Sequence, residues 1–587
     1  GWGDLDFAPR ERVIEQADFL SLHCVLTPET RGLLSAEAIA RMKPSAIVVN
    51  VSRGALIDQM ALVEALAGGR LAAAGLDVFV EEPLERDNPL HRLGNVVLSP
   101  HLAFYTTEAY ERLEHQCFTA VRDLLAGKTP PNVKNAAMLG AGADAMPRKA
   151  DPIEEKPRTT EDWQWTEGDI NLSPQRTKWL EEQIDAPTRD LLERDARAFL
   201  HQSLSTPCLN ALAECEGSYL VDEQGRRYLD FHGNSAHQIG YRHPHVIAAI
   251  KEQLDTLPFC PRRFTNRPAI AVAEKLGELA PGRLSKVLLA PGGTSAIGIA
   301  LKIARYATGR YKTISMWDSF HGASLDAISI GGEEFFRGGL GPLLPGCFHV
   351  DWPRAESDAD AIEKILVEQG DVAAVVAEPM RCTTVDRPPD AYWQRVRALC
   401  DQYGALLVFD EIPTALGRTG RWFCCENSGV VPDLLVIGKG LGGGVMPMAA
   451  VIARDDLDVV ADRALGHYTH EKSTTGAAAA LATIDVIESE QLLDHAQQLG
   501  KYALERLQRI ERELAIVSDA RGVGLALALE LACEPEQGQQ VLYACLEQGV
   551  SFKVSSGNVL TLTPPLTITR DEMDQALDVV EKAVASL

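Results

Sequence analysis

Two charged residues end apolar segments between residues 406 and 444. The run LLVFD ends on Asp410, and the run DLLVIGK ends on Lys439, immediately before several glycines. Short apolar runs bounded by glycine and charge are typical of buried strands. We therefore expect a carboxylate and an amine at the carboxyl ends of two strands, at the edge where open α/β sheets bind ligands.

An amine and a carboxylate held at one sheet edge suit pyridoxal phosphate. A lysine amine forms a Schiff base with the aldehyde of this cofactor, and a carboxylate keeps its pyridine nitrogen protonated, so that the ring accepts electrons from a substrate carbanion. The glycines after Lys439 let the backbone approach a cofactor closely. A lysine after glycine is by itself usually a surface residue, so the neighbouring motifs decide the interpretation.

The segments DEIPTALGRTG (410–420) and GKGLGGG (438–444) together resemble the class III aminotransferases, a fold-type-I pyridoxal phosphate family. The resemblance implies an α/β enzyme whose large mixed-sheet domain is formed by residues 246–484. Its small α/β domain would combine residues 176–245 and 485–587. It further implies a homodimer with shared active sites, in which Lys439 forms the Schiff base and Asp410 binds the pyridine nitrogen.

A glycine turn supplies the candidate phosphate site. The sequence APGGTSAIG places Gly292, Gly293 and Thr294 where a predicted strand becomes a helix. Free backbone N–H groups and the helix dipole can bind a phosphate dianion at such a position. The place of this turn ahead of FHG and GKG follows the order of motifs in the family, which is what favours the phosphate interpretation.

The resemblance implies four further cofactor contacts. In the motif FHG, Phe320 would stack on the pyridine ring with His321 beside it, although an aromatic residue at a strand end can also be ordinary core. Glu378, after the apolar run AAVVA, would hydrogen-bond groups of the pocket rather than act as the base. Thr469, in the segment HYTHEKS, would reach across the dimer to the phosphate of the neighbouring subunit.

Two segments are candidates for substrate binding. A predicted hairpin, GSYLVDEQGRRYLDFHGN, ends near Asn234, where the family's strand reaches the substrate pocket. The segment LPFCPRRFTNRP carries Arg262 and Arg263, which the resemblance places at the mouth of the site. Guanidinium groups bind anionic oxygens bidentately and would suit a carboxylate, phosphate or phosphonate. An ordinary turn and a solvated basic loop are the alternative interpretations.

One departure from the family concerns the reaction. Members that depend on a 2-oxo acid carry an arginine shortly before a Pro-Pro-Leu motif, and this chain has Thr561 there, in NVLTLTPPLTIT. A second departure is Pro413, where the family often has glutamine. A neutral hydroxyl does not replace a guanidinium that clamps a carboxylate. We therefore favour an ammonia-lyase type elimination, in which a group leaves the carbon next to the amine-bearing carbon and no amino acceptor is needed.

The motifs FHGNSAHQIGYRHP, FCPRRFTNRP and GHYTHEKS also resemble the family's ammonia-lyases that act on hydroxylated aminoethylphosphonates. The favoured substrate is accordingly a small primary amine with an anionic head group. An ω-aminotransferase that uses an oxo-acid acceptor remains an alternative. A fusion in which either half is a non-catalytic assembly module is another.

Residues 1–135 alternate predicted strands and helices, which is typical of a parallel, doubly wound, Rossmann-like sheet. The segments NVSRGALID, GLDVFVEEPL and SPH resemble the NAD-binding domain of the D-2-hydroxyacid dehydrogenases. The resemblance implies that Arg53 holds a substrate carboxylate and that His101, oriented by Glu82, moves a proton. The G-x-G-x-x-G turn is not found, and we expect it to precede residue 1, so NAD binding is doubtful and this site is vestigial.

The bulk properties set further limits. The 587-residue chain has a formal net charge of -25, which argues against nucleic acid as a partner. Its 12 cysteines form no metal-binding pattern and indicate a reduced, cytoplasmic chain without a metal. No apolar run is long enough for a membrane span. Residues 136–175 are predicted to be a flexible linker, and the initial glycine suggests a fragment or a processed start.

Overall fold

The computed structural model describes residues 8–27, 29–80, 82–84, 88–102, 173–200 and 209–587. The chain divides into two compact units, Gly1–Lys156 and Pro157–Leu587. Most of the predicted linker lies outside the described residues. No helix within the described ranges has both the length and the apolar character needed to cross a membrane.

The N-terminal unit contains a four-stranded sheet in the order β1-β2-β3-β4, with every neighbouring pair parallel. Within the described residues its strands are β1 (Phe19–Leu22), β2 (Ile47–Asn50), β3 (Ala73–Leu76) and β4 (Val96–Leu98), and its α-helices are α1 (Arg10–Gln16), α2 (Ala36–Arg41) and α3 (Gln59–Ala67). The side chain of Asp58 caps α3 by accepting a hydrogen bond from the Ala61 N–H. The predicted Rossmann-like alternation is thus confirmed.

The second unit holds the remaining described strands. In chain order they are β5 (Leu212–Glu216), β6 (Tyr219–Asp222), β7 (Arg227–Asp230), β8 (Leu284–Ala290), β9 (Lys312–Met316), β10 (Cys347–Val350), β11 (Val372–Ala377), β12 (Leu406–Asp410), β13 (Leu434–Ile437), β14 (Ala449–Arg454), β15 (Val517–Val523), β16 (Ala526–Leu531), β17 (Val550–Ser551), β18 (Lys553–Ser555) and β19 (Val559–Leu562).

The helices of this unit pack around those strands. In chain order they are α4 (Pro174–Glu182), α5 (Ala186–Ala198), α6 (Pro244–Thr256), α7 (Arg267–Leu279), α8 (Gly293–Thr308), α9 (Leu325–Ile330), α10 (Glu334–Arg337), α11 (Ala359–Gln369), α12 (Asp390–Tyr403), α13 (Thr474–Ser489), α14 (Leu492–Glu513), α15 (Pro535–Glu547) and α16 (Arg570–Ala585).

A seven-stranded mixed sheet forms the centre of the second unit, in the order β10-β9-β11-β12-β13-β14-β8. Only β14 runs against its neighbours. Strands β11, β12 and β13 are buried along their whole length, because helices cover both faces of the sheet. This burial explains why they are continuous apolar runs rather than alternating ones, and it places the core beneath the edge where Asp410 lies.

Two smaller sheets complete the unit. One is antiparallel, in the order β15-β16-β19-β18, and the other is mixed, in the order β17-β7-β6-β5. The predicted hairpin is present as β6 and β7, which pair antiparallel around a turn at Gly225. Because β17 pairs with β7, the segment near residue 550 lies beside the end of that hairpin.

Helix α14 crosses the β15–β16 hairpin at a contact that requires glycine. A Cβ atom added to Gly500 would lie 2.0 Å from the carbonyl oxygen of Gly524, which is a backbone atom. A flexible side chain could move away, but the turn of the hairpin cannot do so without shifting its strands. The close packing of helix α14 on the hairpin therefore requires that position 500 has no side chain.

We expect Gly500→Ala to lower the free energy of unfolding by about 1–3 kcal/mol, the usual cost of overpacking. Urea unfolding followed by circular dichroism measures the change. Gly298→Ala in α8 is the matched control, because its added Cβ would meet only the end of the Asp326 side chain and no backbone atom. Alanine is also the better helix former there. Equal midpoints for Gly500→Ala and wild type would contradict the tight crossing.

Candidate active site

A cavity of about 420 Å³ lies at the carboxyl edge of the large sheet. It is lined by residues that follow β8, β9, β12 and β13, which end at the same edge because these strands are mutually parallel. Asp410 and Lys439 both line it. The predicted meeting of this carboxylate and this amine in one cavity is what the structure shows.

Lys439 lies just beyond the end of its strand. Strand β13 ends at Ile437, two residues earlier than the sequence suggested, and Lys439 begins a short 3₁₀ turn, Lys439–Gly442. Its backbone is left-handed, with φ of 46°, which is uncommon for a residue other than glycine and is often found at functional sites. Within the described residues, no salt bridge to the Lys439 amine is found. The turn thus places Lys439 on the wall of the cavity.

Asp410 is 2% exposed and is held by two contacts. Its Oδ1 accepts a hydrogen bond from the Ile412 N–H at 3.1 Å, and its Oδ2 lies 2.8 Å from Nδ1 of His321. His321 is also buried, and its Nε2 lies 3.2 Å from Oγ of Ser315. The predicted role of His321 was contact with the cofactor. The structure adds a contact with the carboxylate, which fixes the orientation of Asp410.

The glycine turn lies where the phosphate site was predicted. Gly292, Gly293 and Thr294 all line the cavity, and helix α8 begins at Gly293 without a side-chain cap. Its first N–H groups can therefore bind an anion in the cavity. Gly322, which the sequence did not single out, has φ of 121°, and a Cβ there would lie 2.4 Å from Oγ1 of Thr294. The third residue of FHG thus makes room for Thr294.

Phe320 and Glu378 occupy different positions relative to the cavity. Phe320 lines it and packs against Phe336, with ring centroids 4.5 Å apart. Glu378 is buried, and its carboxylate accepts hydrogen bonds from the N–H groups of Phe320 at 3.3 Å and Cys382 at 3.2 Å. Burial raises the pKa of Glu378. Its contacts fix two backbone segments of the cavity wall.

The predicted substrate arginines lie elsewhere in the chain's own fold. Arg262 is paired with Glu471, with Nε and Oε1 3.6 Å apart, and Arg263 is exposed. Thr469 is exposed in a turn two residues before Glu471. Among the described residues that line the cavity, none of these appears. The loop with the arginines and the turn with Thr469 therefore form a separate group.

Asn234 lies on a second, larger cavity of about 750 Å³. This cavity shares Ala236 and Gly444 with the first, so the two are adjacent. Gly233, Asn234 and Ser235 all have positive φ, at 44°, 48° and 56°. Three successive left-handed residues form a strained turn, which indicates a function that maintains it.

Thr561 is buried in β19, and its hydroxyl donates a hydrogen bond to the carbonyl oxygen of Thr383. Oγ of Ser555 lies 3.3 Å from the same hydroxyl. Position 561, where the resemblance to oxo-acid-dependent members implied an arginine, is therefore occupied by a short side chain that is bonded to the backbone.

The N-terminal unit forms part of its predicted site. Nδ1 of His101 lies 2.7 Å from Oε2 of Glu82, and Oε1 of Glu82 accepts a hydrogen bond from the Phe79 N–H at 2.8 Å. The contact with His101 lowers the pKa of Glu82. Arg53 is exposed and donates to the carbonyl oxygen of Ser52 at 2.6 Å. Glu82 and His101 thus meet as the resemblance implied.

These features are those of a class III aminotransferase, and comparison with known proteins gives the same result. Residues 201–584 match the sequence profile of the aminotransferase class-III family, and the chain belongs to this family. Members of the family depend on pyridoxal phosphate. The lysine, the buried carboxylate and the uncapped helix end around one cavity fit the aldehyde, the pyridine nitrogen and the phosphate of this cofactor.

Two relatives show how far the likeness extends. An (R)-1-hydroxy-2-aminoethylphosphonate ammonia-lyase from Vibrio splendidus is 45% identical over 456 residues, which cover 72% of this chain and 95% of the relative. An alanine/serine racemase from Pyrococcus horikoshii is 32% identical over 401 residues, covering 63% of this chain and 84% of the relative. Both therefore match along most of their own length.

Solved transaminase structures share the fold. A transaminase from the marine bacterium Virgibacillus has a TM-score of 0.64 and 29% identity, and the match covers 68% of this chain and 99% of that one. A pyridoxal-phosphate-bound amine transaminase from an uncultivated Pseudomonas species has a TM-score of 0.61 and 31% identity, covering 66% and 98%. At the N-terminus, residues 4–103 match the NAD binding domain of D-isomer specific 2-hydroxyacid dehydrogenases.

The contact between His321 and Asp410 gives a testable prediction. We expect His321→Phe to weaken cofactor binding about 10- to 100-fold, because a hydrogen bond to a charged group contributes about 1.5–3 kcal/mol. Titration of the apoprotein with pyridoxal phosphate, followed by visible absorption, measures the change. Ser315→Ala, which removes the outer contact of His321 and a 3.3 Å contact with Oγ of Ser319 but leaves the His321–Asp410 contact, is the control and should have a small effect. Unchanged affinity in His321→Phe would show that His321 does not support Asp410.

Proposed function

We propose that this protein is a pyridoxal-phosphate-dependent ammonia-lyase. Its substrate would be a small primary amine with a hydroxyl on the neighbouring carbon and an anionic head group, of the 1-hydroxy-2-aminoethylphosphonate type. The observation that carries the proposal is the buried Thr561, whose hydroxyl is bonded to Thr383 where an acceptor-binding arginine would otherwise be. The 45% identity to an ammonia-lyase along nearly its whole length supports it.

The residues of the cavity have distinct roles in this proposal. Pyridoxal phosphate, when bound, supplies an aldehyde that condenses with amines and a ring that accepts electrons. Lys439 holds the cofactor, then takes the proton from the amine-bearing carbon of the substrate. Asp410 keeps the pyridine nitrogen protonated, and Phe320 covers the ring. Gly292, Gly293 and Thr294 hold the phosphate at the start of α8.

The proposed reaction consumes no oxo acid. After Lys439 has taken the proton, the hydroxyl on the neighbouring carbon leaves as water. Hydrolysis of the remaining enamine then consumes one water and gives an aldehyde and ammonia, so that the net reaction neither gains nor loses water. A second substrate never enters the site, and a cation dedicated to its carboxylate is therefore not required.

An ω-aminotransferase is the second candidate. Solved structures that share this fold include transaminases with 26–31% identity. Such an enzyme would need an acceptor whose binding does not depend on an arginine at position 561. The two candidates therefore differ in whether the reaction requires an oxo-acid acceptor: the aminotransferase does, and the lyase does not.

The Glu82–His101 pair favours a weaker candidate for the N-terminal unit, a residual NAD-dependent 2-hydroxyacid dehydrogenase. Residues 4–103, which match the dehydrogenase domain, contain no G-x-G-x-x-G turn. Because that turn binds the pyrophosphate of the dinucleotide, we do not assign NAD to this unit.

We also propose that two copies of the chain share their active sites. Thr469 is exposed outside the cavity of its own chain, beside the paired Arg262 and Glu471. Phe264 and Ile270, close to this loop, are 58% and 44% exposed, which suits coverage by a second copy. Thr469 of one subunit would then reach the phosphate of the other, and Arg262 and Arg263 would approach the mouth of that site.

The acceptor-free reaction is the test of the lyase. Purified protein loaded with cofactor should release ammonia and aldehyde from 1-hydroxy-2-aminoethylphosphonate over many turnovers without any oxo acid. Lys439→Ala should abolish this release, because Lys439 is the group proposed both to form the Schiff base with the cofactor and to move the proton. One turnover that stops until pyruvate is added would instead identify a transaminase.

Mixed dimers test the sharing of sites. Thr469→Ala and Lys439→Ala should each impair the pure dimer, but a dimer with one subunit of each kind has one site with both native residues. We expect mixing to restore about a quarter of wild-type activity, as random pairing would give. Thr469→Ala alone should mainly weaken cofactor affinity, so activity is measured at a cofactor concentration too low to load the pure Thr469→Ala dimer. No recovery after subunit exchange, verified by mass spectrometry, would contradict a phosphate contact across the dimer.

A further inference from the structure

A further cavity lies where helix α14 crosses the β15–β16 hairpin. Its volume is about 330 Å³, and it shares no lining residue with the two cavities described above. Three parts of the chain form its wall: the segment 419–427 that follows β12, one face of α14, and the end of the hairpin. These parts are distant in the sequence, so the cavity exists only through the fold.

Two cations line this cavity, and among the described residues no carboxylate does. Arg421 and Lys501 are both exposed, and within the part of the chain that the structure describes neither side chain has a hydrogen bond or an ion pair. By contrast, Arg506 on the same helix is paired with Asp574 and Asp578. In a chain with a formal net charge of -25, two unpaired cations in one concave surface are a local reversal of charge, which attracts anions.

A buried hydroxyl adds a neutral donor to the same wall. Thr419 lines the cavity and is only 3% exposed. Its Oγ1 accepts a hydrogen bond from Nδ2 of Asn427 at 3.1 Å, and its own proton has no acceptor among the described residues. The hydroxyl therefore keeps a proton to donate. A guanidinium, an ammonium and a hydroxyl around one cavity are a set of donors without an acceptor.

A third cation lies directly behind the wall. Arg418 is 1% exposed, and its guanidinium donates to neutral acceptors only, which are the carbonyl oxygens of Leu525 and Pro564 and Oε1 of Gln238. Burial lowers its pKa to about 9, so it is still charged at pH 7. Within the described residues this charge has no carboxylate partner. An anion in the neighbouring cavity would compensate part of it.

The backbone around the cavity is held in place before any ligand arrives. A Cβ atom on Gly524 would lie 2.5 Å from the carbonyl carbon of Thr419, so the hairpin packs directly on the segment that carries Arg421. Nε2 of Gln497 donates to the carbonyl oxygen of Gly420 at 2.6 Å and ties α14 to the same segment. A ligand therefore has to order only the two long cationic side chains, which keeps the entropic cost of binding low.

We propose that this cavity is a second anion site, which binds a small phosphorylated or phosphonate compound. The guanidinium of Arg421 would bind two of its oxygens bidentately, Lys501 would bind a third as a point charge, and Thr419 would donate its free proton. The volume is at the lower end of the range for small-molecule sites, which leaves room for a few atoms beyond the oxyanion. The site does not depend on the proposed reaction.

Phosphate binding to the full-length protein tests the proposal. The protein is loaded with pyridoxal phosphate first, so that the turn at Gly293 is occupied, and calorimetry with inorganic phosphate at fixed ionic strength gives the dissociation constant. We expect Arg421→Met and Lys501→Met each to weaken binding about 10-fold, the loss of one charge-assisted contact. The double variant should show no binding, and Arg421→Lys should lose less than Arg421→Met.

Arg512→Met is the matched control. Arg512 is an exposed cation on the same helix, has no partner among the described residues, and does not line the cavity. Its removal changes the net charge of the chain by the same amount and should leave the dissociation constant unchanged. Because Arg421 and Lys501 are exposed and unpaired in the described structure, their variants should unfold at the wild-type temperature when phosphate is absent.

Three results would overturn the proposal. The first is unchanged phosphate binding in both Arg421→Met and Lys501→Met, and the second is an equal loss in Arg512→Met, which would show that only the net charge matters. The third is a rise in melting temperature that sodium chloride of the same ionic strength reproduces. A crystal structure with phosphate decides the location, because the ion must lie within hydrogen-bond distance of both Arg421 and Lys501, and a phosphate seated elsewhere would contradict the site.

Discussion

The parallel pairing of β12 and β13 is the constraint on which the active site depends. Asp410 stands across from Val436 in this pairing, so the carboxylate and the turn that begins at Lys439 lie at one edge of the sheet. The strands below them are entirely apolar and fully buried. A shift of register would bury a charge among these side chains, which is costly in free energy. The hydrophobic core therefore fixes where the charged groups lie.

The same edge concentrates polar groups that a core would otherwise exclude. Asp410 and Glu378 are both buried, and each is satisfied by specific contacts, with His321 in one case and with backbone N–H groups in the other. The left-handed backbone of Lys439 adds strain at this edge. Networks of this kind hold functional groups rigidly at the expense of stability. The contacts around Asp410 and Glu378 therefore serve to orient the groups of the site rather than to stabilise the fold.

Much of this architecture could be predicted from local sequence. Apolar runs ending in Asp410 and Lys439, and the glycine turn at Gly292, are local patterns, and the structure places all three on one cavity. The contact of His321 with Asp410 joins residues 89 positions apart, and no local pattern encodes it. The loop with Arg262 was expected at the mouth of the site, but Arg262 is paired with Glu471 and does not line the cavity of its own chain. The preference of arginine for anionic groups does not specify where its loop folds.

The cross-strand relation between Lys553 and Thr561 was beyond sequence analysis for the same reason. The threonine at position 561 alone indicates that the arginine of the family is absent. The register of β18 on β19 shows that a lysine, Lys553, lies directly opposite this position on the neighbouring strand. The difference matters physically. An enzyme that alternates between two substrates needs a cation able to withdraw for one of them, and a long guanidinium side chain can do this. An enzyme with a single anionic substrate has no such need.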